Sequence, residues 1–136
     1  MSDLAQDMYM MHDKFEVHQW FMANKENKEL MSKYLDFRLA MCQEELTETV
    51  DAVKAKDPEE VVDGLIDLVV FALGTLDVFG VDTGTAWDAV YAANMAKHVG
   101  VKEGRPNPFG LPDLMKPAGW TAPSHAGNHG HIDKAL

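Results

Sequence analysis

Six acidic side chains at helical spacing give this chain its first chemical reading. Glu44, Glu45, Glu48 and Asp51 fall on one broad face of a helix at about 100° per residue, opposite a stripe of Leu39, Cys42, Leu46 and Val50. Tyr34, Phe37 and Met41 continue the acidic face toward the N-terminus. Asp63 and Asp67 stand one turn apart on a following helix, and Asp67 sits among Gly64, Leu65, Ile66, Leu68, Val69 and Val70. Burying an unpaired carboxylate in such company is very costly, so Asp67 calls for a cation, a proton or several donors. A short turn at Asp57-Pro58 folds the two helices back on each other. Glu48 then faces the neighbourhood of Asp67, Asp51 faces Asp63, and Glu45 lies one turn further along, within reach of Asp67. Carboxylates converging without Lys or Arg repel unless they hold a hard divalent cation. Oxygen-only donors favour Mg²⁺ or Mn²⁺ over Zn²⁺. The plainer reading of the first four acids alone is a solvated helix face, but solvation does not explain Asp67. Glu59 and Glu60 are accounted for by capping and the helix dipole, which leaves Glu60 a weak candidate ligand.

The elements that must position these groups are helical. Leu4, Met8, Met11, Phe15 and His18 or Gln19 recur at helical spacing, which predicts one helix over 3–23. After a polar turn at 24–27, a long helix spans roughly 28–56, with Leu35, Leu39, Cys42, Leu46, Val50 and Val53 as its apolar stripe. Asp57 suits an N-cap, Pro58 the first helical position and Glu60 the third. The helix they open runs to about Val78, stops at Gly80, and is apolar on most faces, so it is expected to be the most buried. Another helix covers about 82–98. Beyond Gly100 the chain becomes rich in Pro, Gly, Ser and His, which predicts an extended arm whose end, from about Ser124, is mobile. The expected architecture is all-α: a four- to five-helix bundle around an antiparallel central hairpin (1–99), followed by a Pro/Gly-rich tail (100–136).

Composition bounds the partners. The 136 residues make one domain, and the formal charge is −10. From Glu44 to Asp88 there are twelve acids against Lys54 and Lys56, so the whole excess sits in about a third of the chain. That balance argues against nucleic-acid phosphates or an anionic membrane as partner. Cys42 stands alone, which excludes an internal disulfide and suits a reducing compartment. No signal segment or membrane span is evident, because Asp67 and Asp77 interrupt the longest apolar run. A cytoplasmic protein is expected.

Glu44-Glu45-Leu-Thr-Glu48 followed by Asp63-Gly-Leu-Ile-Asp67 resembles the MazG-like all-α nucleoside triphosphate pyrophosphohydrolases. That superfamily includes dimeric dUTPases, dCTP pyrophosphatases and phosphoribosyl-ATP pyrophosphohydrolase. Its signature is ExxE, a spacer and ExxD on two antiparallel helices. Glu45 and Glu48 supply the first half, and Asp67 matches the final Asp. Gly64 stands where the second Glu belongs, so Asp63 is the substitute, and Glu60-x-x-Asp63 is the other register. Asn94-Met-Ala-Lys97 resembles the superfamily's Asn-x-x-Lys element, and Lys116-Pro-Ala-Gly-Trp120 resembles a tail seen in phage and bacterial members.

The resemblance implies Mg²⁺- or Mn²⁺-dependent cleavage of a nucleoside triphosphate, with a deoxynucleotide as the expected substrate, to the monophosphate and diphosphate. Glu45, Glu48, Asp63 and Asp67 would hold the metal, with Glu44 and Glu60 weaker candidates. Glu44 or Glu48 would accept a proton from water, and Lys97 with Asn94 would meet the phosphates. His18 and Gln19 would read the base, in a pocket with Phe15, Met22, Phe37 and Met41. For most of these apolar residues, packing in the core is the plainer reading. A homodimer or homotetramer is expected. The rival readings are a non-catalytic acidic module that binds metal or a partner protein, and a phosphoribosyl-ATP-type enzyme.

Overall fold

The computed structural model describes residues 3–136 and is all-α, with five helices and one two-stranded ladder. The helices are α1 (Leu4–Lys14), α2 (Val17–Asn24), α3 (Lys28–Lys54), α4 (Pro58–Val78) and α5 (Thr83–Met95). β1 (His98–Gly100) pairs antiparallel with β2 (Asp113–Met115), and a 3₁₀ turn follows at Ile132–Ala135. The caps explain the boundaries. Asp3, Asn27 and Asp57 each accept the backbone N–H three residues on, at 3.1, 3.1 and 3.2 Å. Both long helices end in a Schellman motif. Asp57 N–H donates to Ala52 O and Lys56 N–H to Val53 O; Val81 and Gly80 do the same to Leu76 and Asp77. Gly80 takes the left-handed conformation freely at φ 74, whereas Lys56 holds it at φ 58 with a side chain attached.

The expected single helix over 3–23 is instead α1 and α2. Glu16 is left-handed at φ 62 and breaks the run. In a continuous helix, positions 12 and 18 would point to different sides; the break lets both meet one residue of α4.

Two contacts fix the register of α3 against α4. Gly64 packs on Thr49, and the Arg38 guanidinium reaches Thr75. On each helix the two contact points are eleven residues apart, about three turns, so one face of each helix meets the other throughout. The inward residues of α3 are Met31, Arg38, Thr49 and Ala52, and those of α4 are Gly64, Gly74, Thr75 and Val78. Arg38 is satisfied inside: its Nε–H donates to Thr75 Oγ1 at 3.0 Å, an Nη2–H to Phe71 O at 3.1 Å, and it stacks on the Phe71 ring.

This seam runs along Met31, Arg38, Thr49 and Ala52, with Glu45 at its edge, and not along the leucine stripe. Leu39, Leu46, Val50 and Val53 are exposed in the single chain, as are Val62, Leu65, Ile66 and Val69 of α4. α4 has the largest share of buried residues among the helices, as expected, yet four of its large apolar residues, Val62, Leu65, Ile66 and Val69, are left exposed in the single chain.

The apolar core gathers Phe21, Met31, Val78, Phe79 and Ala135, with Val17, Leu30, Tyr34, Leu35 and Ile132 packed against it. Fully buried side chains such as Phe79 and Met31 each contribute roughly 1.5–3 kcal/mol. Ala135 and Ile132 correct the expectation of a mobile end. His131 N–H donates to Phe79 O at 2.6 Å, Asn128 bonds the backbone of Asp82, and Lys134 pairs with Glu26 at 3.0 Å.

By its internal contacts the chain divides at Thr83/Gly84 and Ala126/Gly127, rather than at Gly100. One unit holds α1 to α4 and the segment Gly127–Leu136. The other, Gly84–Ala126, holds most of α5, the ladder and Trp120, whose indole N–H donates to Ala93 O at 2.7 Å.

Candidate functional site

Five carboxylates share the seam between α3 and α4. The Glu45 carboxyl is held above the usual carboxylate range, first by partial desolvation and then by the charges of Glu48, Asp67, Glu44 and Asp63. Glu45, Glu48, Asp63 and Asp67 are the four candidate ligands named from the sequence, and Glu44 is the weaker fifth. Their placement follows from the register. Thr49, one turn after Glu45, lies against Gly64, and Asp63 and Asp67 flank that glycine on the same helix. Gly64 has no Cβ, and a side chain there would collide with the Thr49 hydroxyl, so the position of the missing Glu in the strict pattern is taken up by a helix–helix contact. Thr49 Oγ–H donates to Glu45 O at 2.7 Å, which holds that turn of α3.

Glu45 and Asp67 are half-buried, while Glu44, Glu48 and Asp63 are exposed. Asp67 is thus less enclosed than its apolar neighbours suggest. Glu60 belongs to the cap: its N–H donates to Asp57 Oδ1, and its charge is not among those acting on Glu45. Among the acids acting on Glu45 there is no partner cation, so an oxygen-only set of like charges stands together. Oxygen-only donors suit hard divalent cations, but among the described residues only His12, His18 and Asp77 bring three donor atoms within 4.8 Å of one another.

Asn94 and Lys97 lie in the other unit. Lys97 Nζ donates to Asn94 Oδ1 at 3.0 Å and stands 5.3 Å from the centre of the Trp120 ring. Lys116 Nζ stands 5.0 Å from the same ring. Two ammonium groups are thereby held at one indole.

The residues expected around a base are only partly brought together. His18 and Met22 line a cleft of about 430 Å³ with Tyr9, Asp77, Val81 and His131. Phe15, Gln19 and Phe37 are exposed, Met41 is half-buried, and none of the four lines this cleft.

At the edge of the cleft, the sequence reading missed a buried cluster. His12 Nδ1 and His18 Nε2 each lie 2.7 Å from the same oxygen of Asp77. Burial pushes the His12 imidazole below its ordinary value, against the pull of Asp77. His18 Nδ1 is buried without a hydrogen-bond partner, and the Tyr9 ring lies 4.6 Å from the His18 ring. The available signal was Asp77 itself, a second carboxylate in an apolar run. Its partners were hidden because the break at Glu16 carries no proline or glycine.

Among the described residues, no single helix is long and apolar enough to cross a membrane. A sequence profile described as phosphoribosyl-ATP pyrophosphohydrolase matches residues 13–94. The match contains all five acids of the seam and ends at Asn94. No curated protein and no solved structure matches the chain.

Proposed function

The chain belongs to the phosphoribosyl-ATP pyrophosphohydrolase family, of the MazG-like all-α type, and on that premise we propose that it cleaves the α–β phosphoanhydride of a nucleoside triphosphate. The substrate proposed is a deoxynucleotide, giving the monophosphate and diphosphate. The observation that carries this reading is the convergence of Glu44, Glu48, Asp63 and Asp67 on Glu45 without a balancing cation.

Glu45, Glu48, Asp63 and Asp67 would hold Mg²⁺ or Mn²⁺. When bound, the ion supplies charge neutralisation for a substrate that this acidic surface otherwise repels. Glu44, beside that set, accepts a proton from the attacking water, with Glu48 the other candidate base. In the other unit, Lys97 serves phosphate oxygens as a point charge. Asn94 fixes its ammonium and Trp120 lies beside it.

A second copy of the chain is the proposed partner. Val62, Leu65, Ile66 and Val69 form an apolar stripe on one face of α4, between 40 and 63% exposed, that a second copy would cover. A homodimer or homotetramer covers it.

The family match favours a second substrate reading, phosphoribosyl-ATP itself, which carries the same triphosphate chain. Incubation with each dNTP, each NTP and phosphoribosyl-ATP in Mg²⁺ or Mn²⁺, with monophosphate and diphosphate quantified, separates the two. Glu48→Gln and Asp67→Asn are expected to fold and to lose turnover. Full activity in either folded variant refutes the mechanism, and absence of diphosphate from every substrate favours a non-catalytic module.

A further inference from the structure

We propose that His12, His18 and Asp77 form a site for a transition-metal ion of the zinc class, separate from the acidic seam. The three donor atoms, His12 Nδ1, His18 Nε2 and an Asp77 oxygen, all lie within 4.8 Å of one another. They come from α1, α2 and α4. His12 is buried, and the side chains of His18 and Asp77 are 23% and 12% exposed. Two imidazoles and one carboxylate are the donor set that borderline ions select, whereas the α3–α4 seam offers oxygen alone.

Hydrogen bonds already draw the three groups together. Both nitrogens sit 2.7 Å from one Asp77 oxygen. Bonds of about 2.0–2.1 Å in tetrahedral geometry place neighbouring donors about 3.3 Å apart, so each contact opens by only about 0.6 Å. In the neutral form a ring offers its lone pair to the ion when its proton moves to the other ring nitrogen. For His18 that nitrogen is Nδ1, the buried atom that now has no partner. The hydrogen bonds from the two rings to Asp77 give way to the metal bonds. The cleft beside His18 and Asp77 leaves room for water at the fourth position. The Arg38 charge, which acts on His12, opposes the ion, so affinity is expected below that of a closed four-ligand zinc site. An ion here ties α1 and α2 to the last turns of α4.

Co²⁺ is the probe, because imidazole-bound tetrahedral Co²⁺ absorbs strongly in the visible while octahedral oxygen-bound Co²⁺ does not. The full chain is titrated with Co²⁺ in excess Mg²⁺. The expected result is one equivalent of visible absorbance, displaced by Zn²⁺. It is lost in His18→Gln and Asp77→Asn, and kept when Glu48→Gln and Asp67→Asn are combined. No band in the wild type overturns the proposal, as does an unchanged band in His18→Gln. So does a band lost only when His125, His129 and His131 are replaced. Should the variants not fold, two-bond ¹H–¹⁵N imidazole spectra of the wild type decide. Zn²⁺ must shift His12 Nδ1 and His18 Nε2, and unshifted resonances refute the site. Neither readout depends on turnover, so failure here leaves the proposed activity standing, and the converse holds.

Discussion

Gly64→Ala tests the contact that aligns the acidic seam. A Cβ built at Gly64 meets the Thr49 hydroxyl, with Thr49 Cβ at 3.3 Å and Thr49 Cα at 3.6 Å. Thr49 is buried and its hydroxyl is already bonded to Glu45 O, so it has little freedom to yield. Overpacking of this kind costs about 1–3 kcal/mol, while Ala in place of Gly inside a helix recovers about 1 kcal/mol. Gly64→Ala is therefore expected to lose up to about 2 kcal/mol, or roughly 8 °C in Tm at some 4 °C per kcal/mol for a chain of this size. Thr49→Ala removes the colliding oxygen and a back-bond to the helix carbonyl, at near-neutral cost. In that background Gly64→Ala should be neutral or stabilise by up to about 1 kcal/mol, because the propensity gain is set only against the remaining 3.3 Å contact with the Cβ of residue 49. Urea unfolding of the four proteins gives the coupling energy, expected at about 1–3 kcal/mol. Mn²⁺ affinity supplies a second readout: weakened in Gly64→Ala, where the helices are wedged apart beside Asp63 and Asp67, and restored in the double variant. If Gly64→Ala costs the same with and without the Thr49 hydroxyl, this account of the seam is wrong.

Glu45→Gln, measured in chelator at neutral pH, is expected to melt above wild type. The folded carboxyl titrates above its unfolded value of 4.5, so its charge is a liability at neutral pH that fades as pH falls through the folded value toward 4.5. Saturating Mn²⁺ should reverse the order, and a Glu45→Gln protein that melts lower in chelator contradicts the repulsion. Ile66→Asp, at a site 57% exposed in the single chain, should leave the fold intact and reduce the mass seen by light scattering to that of one chain. An unchanged larger mass would place the oligomer contact elsewhere. Lys56→Gly should stabilise by about 0.5–1 kcal/mol, because Lys56 holds φ 58 at the left-handed position of a Schellman motif. A loss in Tm would show that the Lys56 side chain makes a compensating contact.

The central hairpin and its acids were legible because their determinants are local. Asp57, Pro58 and Glu60 mark a helix start, and spacing alone puts Glu45 and Glu48 on one face and Asp63 and Asp67 on another. The inward face of α3 was not. Hydrophobicity made the Leu39/Leu46/Val50 stripe look like the core side, yet it cannot tell a face that meets its own chain from one left for another. Close approach at Gly64 and Thr49, together with a satisfied Arg38, decided the matter, and both depend on the partner helix. The break at Glu16 was illegible for a related reason. A left-handed Glu carries no sequence mark, and what favours it is tertiary, since it lets His12 and His18 share Asp77. The docked tail end was misread because Gly, His and Asn suggest solvent, while Ile132 and Ala135 reach the core from a single short turn.

That docking has a consequence for biosynthesis. The core begun by Phe21, Met31 and Phe79 is closed by Ile132 and Ala135, with the whole Gly84–Ala126 unit made in between. At roughly 5–20 residues per second, a ribosome needs about 3–10 s to pass from Gly84 to the closing turn. Throughout that interval one side of Phe79 has no cover from its own chain. The core of the nascent protein therefore stays open on that side at this stage, and premature termination within the final segment leaves the helical hairpin made but its core unsealed.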